Sequence, residues 1–340
     1  MKKLSVLLVV LIAAGFLFAA TEYHVEETWN GKPGGTFYYW GLGDPKTFNY
    51  DWAQETSSTD PLGFTLATLI ESDEGGMPTL PGLAKKWWFS EDGLTFFVQI
   101  REGLQWSDGE PFTIDDVYWT FVDVSFIPEN TANGNGSYLD SNDQLPVVEI
   151  VDDTTISFTW TVPMVTALRQ IGFRPIMPKH VLEEVVANGT YAEFWTIADF
   201  DKLVGMGPFV ITDYIEGVRI VFERNPYYWK VDGNGVKLPY FDKLNYELLA
   251  DQNTSLLRFE AGELDLYGPT AEQFPRLAEM AAEKGWITGV GGPALGSQFV
   301  TFNFNATDPV KREWFRNDGF RRAFVYAMDR DAIIESLYNG

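Results

Sequence analysis

Cysteine is absent from this chain of 340 residues, and histidine occurs only twice. Without cysteine the protein has no disulfide, thiol nucleophile, thiolate-bound metal or iron–sulfur cluster. The histidines are His24, in a polar N-terminal stretch, and His180, at the predicted start of a helix, and this pair leaves no plausible Ser-His-Asp triad. His180 is interpreted as a packing or capping residue. We therefore predict no catalytic residue, no metal ligand and no cofactor.

Positive charge is scarce as well. The chain has 25 Lys and Arg residues against 48 Asp and Glu residues, which gives a net charge of −23. A nucleic-acid partner needs a cationic protein face, and anionic lipid surfaces repel an acidic protein. The sequence therefore argues against both partners. Paired carboxylates could in principle cut a glycoside, but so many acids give that signal almost no specificity.

The N-terminus has the layout of a secretory signal peptide. Lys2 and Lys3 precede an uncharged run from Leu4 to Ala20. We expect cleavage and export to the periplasm as a soluble protein. An uncleaved membrane anchor is the alternative, although about 17 apolar residues lie at the short limit for spanning a bilayer. Lipid attachment would need an N-terminal cysteine, which the chain lacks.

Aromatic residues are abundant. Phe, Tyr and Trp make up 16% of the chain, and 12 residues are Trp. This share exceeds what core packing usually requires, so some of the rings are expected to line a ligand surface. A large, aromatic-rich core is the alternative interpretation for any single ring.

Local patterns predict several hairpins and helices. In Leu80–Phe121, two strands flank the turn Glu91-Asp92-Gly93, and Thr113 can cap a helix that runs to about Val124. Similar patterns predict hairpins at 147–160 and 208–224, a helix at 64–71, and a strand, helix and strand at 243–249, 255–261 and 263–266.

Four collinear parts of the chain resemble the bacterial extracellular solute-binding proteins of family 5. This family comprises the receptors of dipeptide, oligopeptide and nickel importers and includes oligosaccharide-binding relatives. One such segment would be weak evidence, but four with compatible spacing identify the chain as a member. The segments are Leu80–Phe121, Gly205–Phe209 with Arg224–Trp229, Arg258–Asp265, and Phe302–Asn305 with Phe320–Arg330.

The resemblance implies an α/β fold with two lobes, the type II periplasmic binding protein fold with an extra subdomain. The second lobe is then largely missing, so we expect a truncated or partial chain with an exposed apolar face. The implied division is a signal peptide at 1–20, a flexible lead-in at 21–33, the main subdomain of the first lobe at 34–72 and 173–294, its extra subdomain at 73–172, and the incomplete start of the second lobe at 295–340.

The resemblance also implies a function. It predicts a monomeric periplasmic receptor that captures an oligosaccharide or an oligopeptide between its lobes and delivers it to an inner-membrane ABC permease complex. A secreted glycoside-acting enzyme is the alternative from another functional class. A receptor that only informs a sensor or assists folding is a third possibility.

The aromatic segment Phe37–Trp52 corresponds to the family's first strand and the following loop, which borders the ligand cleft. Its composition favours a sugar, because Trp and Tyr faces stack on sugar rings while amide side chains bond to hydroxyl groups. The predicted stacking surfaces are Trp40 and Trp52, the predicted hydroxyl partners are Asn49 and Gln54, and the further candidates near the lobe crossing are Gln298 and Asn303.

Overall fold

The computed structural model describes residues 20–289 and 299–338. The predicted signal peptide before residue 20 and the predicted lobe crossing at 295 lie outside these residues. The twelve strands within them are β1 (His24–Glu26), β2 (Thr36–Leu42), β3 (Ile70–Glu71), β4 (Leu80–Pro81), β5 (Ala84–Phe89), β6 (Thr95–Ile100), β7 (Val147–Ile150), β8 (Thr155–Thr159), β9 (Phe209–Ile215), β10 (Arg219–Arg224), β11 (Lys230–Asp232) and β12 (Lys243–Leu249).

The helices of these two ranges are mostly short. The α-helices are α1 (Thr56–Leu62), α2 (Ile114–Trp119), α3 (Ala167–Gly172), α4 (Lys179–Ala187), α5 (Gln252–Glu260), α6 (Phe274–Lys284), α7 (Pro309–Arg316), α8 (Asp318–Ala327) and α9 (Arg330–Tyr338). The predicted helix that begins after Thr113 is confirmed, and its second half, Thr120–Ser125, is wound as a π-helix.

One four-stranded sheet has the order β2-β12-β10-β9. Strands β2 and β12 are parallel, and β10 is antiparallel to both β12 and β9. The predicted hairpin at 208–224 is confirmed as β9 and β10. Its turn contains Gly217 at a φ of 68°, a backbone conformation that glycine adopts without a steric cost. This sheet carries the buried core that contains Phe222, Leu244 and Tyr246.

A second four-stranded sheet, entirely antiparallel, has the order β5-β6-β8-β7. The predicted hairpin around the turn Glu91-Asp92-Gly93 and the predicted hairpin at 147–160 supply its strands. Along β6, Phe96, Val98 and Ile100 are buried while the residues between them are partly exposed, as the period-two alternation of a half-buried strand requires. Helix α2 packs near β7 and β8 and joins the same core.

The chain enters and leaves the region of the second sheet at one place. Thr68 and Pro175 form an isolated antiparallel bridge, and the Ile176 N–H donates to the Ala67 carbonyl at 3.1 Å. Residues 69 to 174 are therefore an insertion whose two ends meet. The exact subdomain boundaries given above stay predictions.

The predicted helix at 64–71 is wrong. The helix lies earlier, at Thr56–Leu62, a turn follows at 63–65, and the chain pairs as extended backbone from Thr68 onward. The reason is long-range pairing, because Ile70 lies opposite Pro81 in β3 and β4, and the Leu69 carbonyl accepts from the Gly82 and Ala84 N–H groups. Leu69 and Ile70 are both completely buried, and the burial of these apolar side chains stabilises the extended conformation over the predicted helix.

The predicted strand at 263–266 is also absent, although the preceding strand and helix of that unit are present as β12 and α5. The backbone of Asp265 makes a single strand-like hydrogen bond, from its N–H to the Tyr38 carbonyl at 2.9 Å. Its carboxylate accepts from the Tyr38 N–H at 2.7 Å, where a neighbouring strand would place a carbonyl. The side chain thus ends the ladder after one residue.

The lead-in at 21–33 was predicted to be flexible, and for residues 24–26 the prediction is wrong. His24–Glu26 forms β1, which pairs in parallel with β11. The Glu22 carboxylate accepts from the Lys85 ammonium at 2.9 Å, and the Glu26 carboxylate accepts from Lys230 at 3.0 Å. No local pattern signals this strand, because its partner lies about 200 residues later in the chain.

Helices α7 to α9 differ from the rest of the structure. No residue between 299 and 338 is buried, and large apolar side chains such as Trp314, Tyr326 and Leu337 are more than half exposed. Phe302 contacts the rings of Phe315, Phe320 and Phe324, so α7 and α8 share a small aromatic cluster. Their remaining apolar surface faces outward.

Candidate functional site

The parallel strands β2 and β12 end side by side, and the Gly43 N–H donates to the Leu249 carbonyl at 3.1 Å. In open α/β sheets, ligands bind outside the carboxyl ends of parallel strands. The loop 43–55 after β2 therefore lies where a ligand is expected. It also contains three of the predicted contacts, Asn49, Trp52 and Gln54.

This loop is anchored to the first sheet. The Asp44 carboxylate accepts hydrogen bonds from the Tyr214 hydroxyl at 2.8 Å and from the Gly217 N–H at 2.7 Å. Thr47 forms an isolated bridge with Thr196. Because both ends of its first half are held, the loop presents its later residues in a fixed position.

Asn49 does not face solvent. Its side chain is 0% exposed, and its amide donates to the Tyr191 carbonyl at 2.8 Å and the Phe194 carbonyl at 3.3 Å. The amide oxygen accepts from the Asp51 N–H at 3.1 Å. Since these backbone groups already occupy the side chain, the structure gives Asn49 a role in positioning the loop rather than in bonding a ligand hydroxyl.

A buried ion pair follows Asn49. The Arg174 guanidinium bonds to both carboxylate oxygens of Asp51 at 2.8 Å, and the two side chains are 5% and 4% exposed. The Ser125 hydroxyl accepts from Arg174 at 2.9 Å, and the Tyr191 hydroxyl donates to Asp51 at 2.7 Å. Burial opposes the charged form of Arg174, but the Asp51 carboxylate outweighs it and raises the pKa of the guanidinium. Asp51 thus links the loop after β2 to Arg174, within the insertion, and to Tyr191, which follows the insertion.

A cavity of about 380 Å³ opens beside this ion pair, and we call it the Arg174 cavity. Its lining combines aromatic rings with neutral polar side chains. The Asp51 carboxylate and the Arg174 guanidinium neutralise each other within the wall. The guanidinium also lies 5.2 Å from the centre of the Tyr50 ring. The lining residues are Tyr50, Asp51, Ala53, Thr59, Ser125, Thr131, Asn133, Gly134, Ser137, Tyr138, Arg169, Gln170, Phe173 and Arg174.

Arg169 is the charged group of this lining that remains free to act. It is exposed and lies with its guanidinium 5.3 Å from the centre of the Phe173 ring. Within the described part of the chain no carboxylate pairs with it. A guanidinium in this position can bind an anionic group of a ligand.

Trp40 lies on the face of β2 opposite to the core. Phe37 and Tyr39 pack against the core of the first sheet, so the alternating Trp40 faces the side of α5. Its ring stacks on Tyr267 with centroids 6.1 Å apart and an angle of 22° between the planes. Trp40 is only partly buried, which leaves one of its faces uncovered by Tyr267.

Trp52 and Gln54 lie on the loop next to the cavity but do not line it. Trp52 is partly buried, and its indole N–H is enclosed without a hydrogen-bond partner among the described residues. Gln54 is exposed. The side chains of this loop that reach the cavity are those of Tyr50, Asp51 and Ala53.

The candidates near the lobe crossing are separate from this cavity. Asn303 is exposed, its side-chain oxygen accepts from the Asn305 N–H at 2.9 Å, and it lines an open hollow with Phe302, Phe304 and Arg321. Gln298 lies outside the described residues. The predicted contacts are therefore not brought together in one pocket by the described structure.

Sequence reasoning missed Tyr50, Tyr138, Gln170 and Phe173. These residues come from three distant parts of the chain and meet only because the insertion folds back beside the loop. Tyr138 lies in a stretch rich in Asn, Gly and Asp, where its 8% exposure has no local signal. The aromatic density around residue 50 was the sequence signal that indicated a ligand surface here, but the rings selected from it were those of Trp40 and Trp52.

Within residues 20–289 and 299–338, no group of three His, Asp or Glu side chains is close enough to hold a metal ion. His180 bonds to the Asp108 carboxylate at 2.8 Å. Over the same ranges no helix has the length and apolarity that crossing a bilayer requires.

Residues 79–340 match the bacterial extracellular solute-binding proteins, family 5, in the middle region of that family. This chain belongs to family 5. The predicted resemblance and the α/β fold of the type II periplasmic binding proteins are confirmed.

Two curated family 5 relatives illustrate the similarity. A probable ABC transporter-binding protein of Deinococcus radiodurans is 32% identical over 100% of this chain and 59% of its own length. The periplasmic alpha-galactoside-binding protein of Rhizobium meliloti is 33% identical over 81% of this chain and 42% of its own length. The chain thus spans about half the length of the curated relatives it matches.

A solved family structure shows the same fold. The periplasmic binding protein MelB of Agrobacterium fabrum C58, determined in complex with stachyose, superposes with a TM-score of 0.70 at 26% identity. The comparison covers 91% of this chain and 50% of MelB. The fold of this chain is therefore shared with a binding protein that was solved with stachyose.

Proposed function

We propose that this protein is a periplasmic solute-binding receptor of an ABC importer and that it captures an oligosaccharide. The observation that carries the proposal is the lining of the Arg174 cavity, which places aromatic rings beside neutral hydroxyl and amide groups at the edge of a family 5 lobe. Its one buried charge pair is internally compensated. This combination suits an uncharged ligand that has both apolar faces and many hydroxyl groups.

The lining offers the two kinds of contact that a sugar makes, packing against rings and hydrogen bonds to hydroxyl groups. Tyr50, Tyr138 and Phe173 offer ring surfaces on which the C–H face of a sugar can pack. Asn133 and Gln170 offer amides that can donate and accept at the same time, as adjacent sugar hydroxyls require. The names of the Rhizobium meliloti relative and of the MelB complex support the same ligand class.

Capture would involve closure of two lobes. Periplasmic binding proteins close about a hinge, and a ligand favours the closed form through contacts that it makes better there. In this proposal Trp52 and Gln54 meet the ligand from the first lobe, Trp40 uses its uncovered face, and Gln298 and Asn303 approach from the second. Asn49 acts indirectly by holding the loop. The closed, monomeric receptor would then deliver the ligand to an inner-membrane permease complex after export by the signal peptide.

An oligopeptide is the second candidate ligand, and Arg169 is the observation that favours it. Its unpaired guanidinium could bind a peptide carboxylate, which a neutral sugar lacks. Replacing Arg169 by Gln should weaken a peptide ligand by about tenfold or more, since a charge-assisted hydrogen bond contributes roughly 1.5–3 kcal/mol. The same substitution should leave the affinity for a neutral sugar almost unchanged.

Thermal unfolding of the full-length protein with α-galactosides and with a mixed peptide library tests the proposal. A ligand at a hundred times its Kd should stabilise the folded form by about 2.7 kcal/mol. We expect a shift with the sugars, no cleavage of a labelled oligosaccharide, and weaker binding in Trp40→Ala and Trp52→Ala. A shift with peptides alone would refute the sugar assignment, cleavage would favour the glycoside-acting enzyme, and unchanged affinity in both tryptophan variants would remove these rings from the cleft.

A further inference from the structure

A second cavity adjoins the Arg174 cavity. It has a volume of about 370 Å³, and Tyr50 and Thr59 line both spaces. We call it the Lys230 cavity, because Lys230 and Glu71 lie at one part of its wall. Each cavity is within the size range in which proteins bind small ligands. Tyr50 and Thr59 therefore separate two compartments of similar volume.

Tyr228 is the first sign that the Lys230 cavity accepts a ligand. It lines the cavity and is 9% exposed, and its hydroxyl makes no side-chain hydrogen bond within the described residues. Other tyrosine hydroxyls of this lobe are bonded, such as those of Tyr191, Tyr214 and Tyr240. The Tyr228 hydroxyl is not among the fully enclosed unbonded groups of the described residues, so a polar group that enters the cavity can reach this donor.

Lys230 supplies a second polar group. Its side chain is 8% exposed, and its ammonium bonds to the Glu71 carboxylate at 2.7 Å and the Glu26 carboxylate at 3.0 Å. An ammonium has three donors, so one remains for another acceptor. The Glu71 carboxylate can in turn accept from a hydroxyl, because each carboxylate oxygen has more than one lone pair.

The charges of this wall disfavour an ionic ligand. A carboxylate on the ligand would be drawn to Lys230 but repelled by Glu71 and Glu26, and an amine would compete with Lys230 for the same acids. A hydroxyl group can join the network without displacing either ion pair. Other parts of the lining are apolar and include Leu62, Leu66 and Pro175. These properties fit a neutral ring with one apolar face and several hydroxyls.

We propose that the Lys230 cavity is a second compartment of the ligand site, in which Tyr228 and Lys230 bind the terminal sugar of a longer oligosaccharide whose remainder lies in the Arg174 cavity. Tyr50 then lies between the two sugar units as a common packing surface. This inference rests on the proposed function and adds a length preference to it. A short saccharide would fill the Arg174 cavity alone.

The test compares melibiose, raffinose and stachyose, α-galactosides of increasing length, by calorimetric titration of the full-length protein. Tyr228→Phe removes only the unbonded hydroxyl, and Tyr246→Phe is the matched control, because the Tyr246 hydroxyl is likewise unbonded among the described residues but is fully enclosed in the core. We expect Tyr228→Phe to weaken stachyose about fivefold, or roughly 1 kcal/mol, and to leave melibiose unchanged. Tyr246→Phe should change neither affinity.

A second variant, Ala67→Leu, fills part of the Lys230 cavity, which Ala67 lines. It should reduce the affinity for stachyose toward that for melibiose while melibiose binding persists. If stachyose binds and neither Tyr228→Phe nor Ala67→Leu changes the dependence on length, the second compartment is refuted and the proposed function stands. If the parent protein binds peptides but no saccharide, both proposals are refuted.

Discussion

Replacing Asp51 by Asn should destabilise the protein strongly, because it leaves the Arg174 guanidinium buried without its counter-charge. Both side chains are almost fully enclosed, and Asp51 accepts hydrogen bonds from Arg174 and from the Tyr191 hydroxyl. Breaking a buried ion pair by removing one partner costs about 3–5 kcal/mol, since the remaining charge cannot return to water. Asparagine has nearly the same shape, so the loss reports charge and not volume.

The measurement is urea unfolding followed by tryptophan fluorescence. Glu223→Gln is the matched control, because it makes the same carboxylate-to-amide change in an ion pair with Lys243 whose partners are about half exposed. An exposed pair contributes about 0–1 kcal/mol, so this control should stay close to the parent protein. If Asp51→Asn costs no more than Glu223→Gln, the Asp51–Arg174 pair is accessible to water and does not fasten the loop to the insertion.

Two further predictions concern stability elsewhere in the lobe. A Cβ at Gly205 would lie 2.0 Å from the Thr65 carbonyl oxygen, so Gly205→Ala should lower the free energy of unfolding in urea by about 3 kcal/mol. Gly136→Ala is the control, because its Cβ would meet nothing within 4 Å, and it should change stability by under about 0.5 kcal/mol. Equal effects of the two substitutions would contradict the close approach. The Thr161 hydroxyl, 2.6 Å from the Asp140 carboxylate, lowers the pKa of Asp140 from 3.8 to about 2. A lowered folded-state pKa stabilises the protein above pH 4, and this contribution is lost as the pH falls toward 2. The stability difference between the parent and Asp140→Asn should therefore shrink over that interval, and a difference that stays constant would exclude ionisation of Asp140 as its source.

Elements built from neighbouring residues were predictable from the sequence. The hairpin of β9 and β10 follows from alternation on both sides of Glu216-Gly217, and the helix after Thr113 follows from its capping residue and early acids. Gly205 lies where the backbone passes close to the Thr65 carbonyl, a contact that a side chain would block. In each case the signal and the structure lie within a few residues of each other or depend on one glycine.

Elements that depend on distant partners were not predictable. The segment after Phe64 lacks a helix because Ile70 pairs with Pro81 and because Leu69 and Ile70 reach the core. Strand β1 exists through a partner near the other end of the lobe. Neither pairing leaves a periodic pattern in a single sequence, since three residues of alternation occur by chance in any loop.

The candidate site shows the same limit at the level of side chains. Alternation along β2 indicates that Trp40 and Tyr39 face opposite ways, but it does not indicate which face meets a ligand. Asn49 is a polar loop residue in the sequence, and only the fold places the Tyr191 and Phe194 carbonyls against its amide. Tyr50 was overlooked between more conspicuous neighbours, although it lines both cavities.

The bridge between Thr68 and Pro175 has a consequence for how this lobe can diversify. The inserted region begins and ends next to this bridge. Its length can therefore change without altering the strand order of the first sheet. The residues that the insertion contributes to the lining of the Arg174 cavity can therefore be replaced together, while the loop after β2 is retained. A scaffold joined in this way can acquire new cargo by changing one module and keep the rest of its architecture.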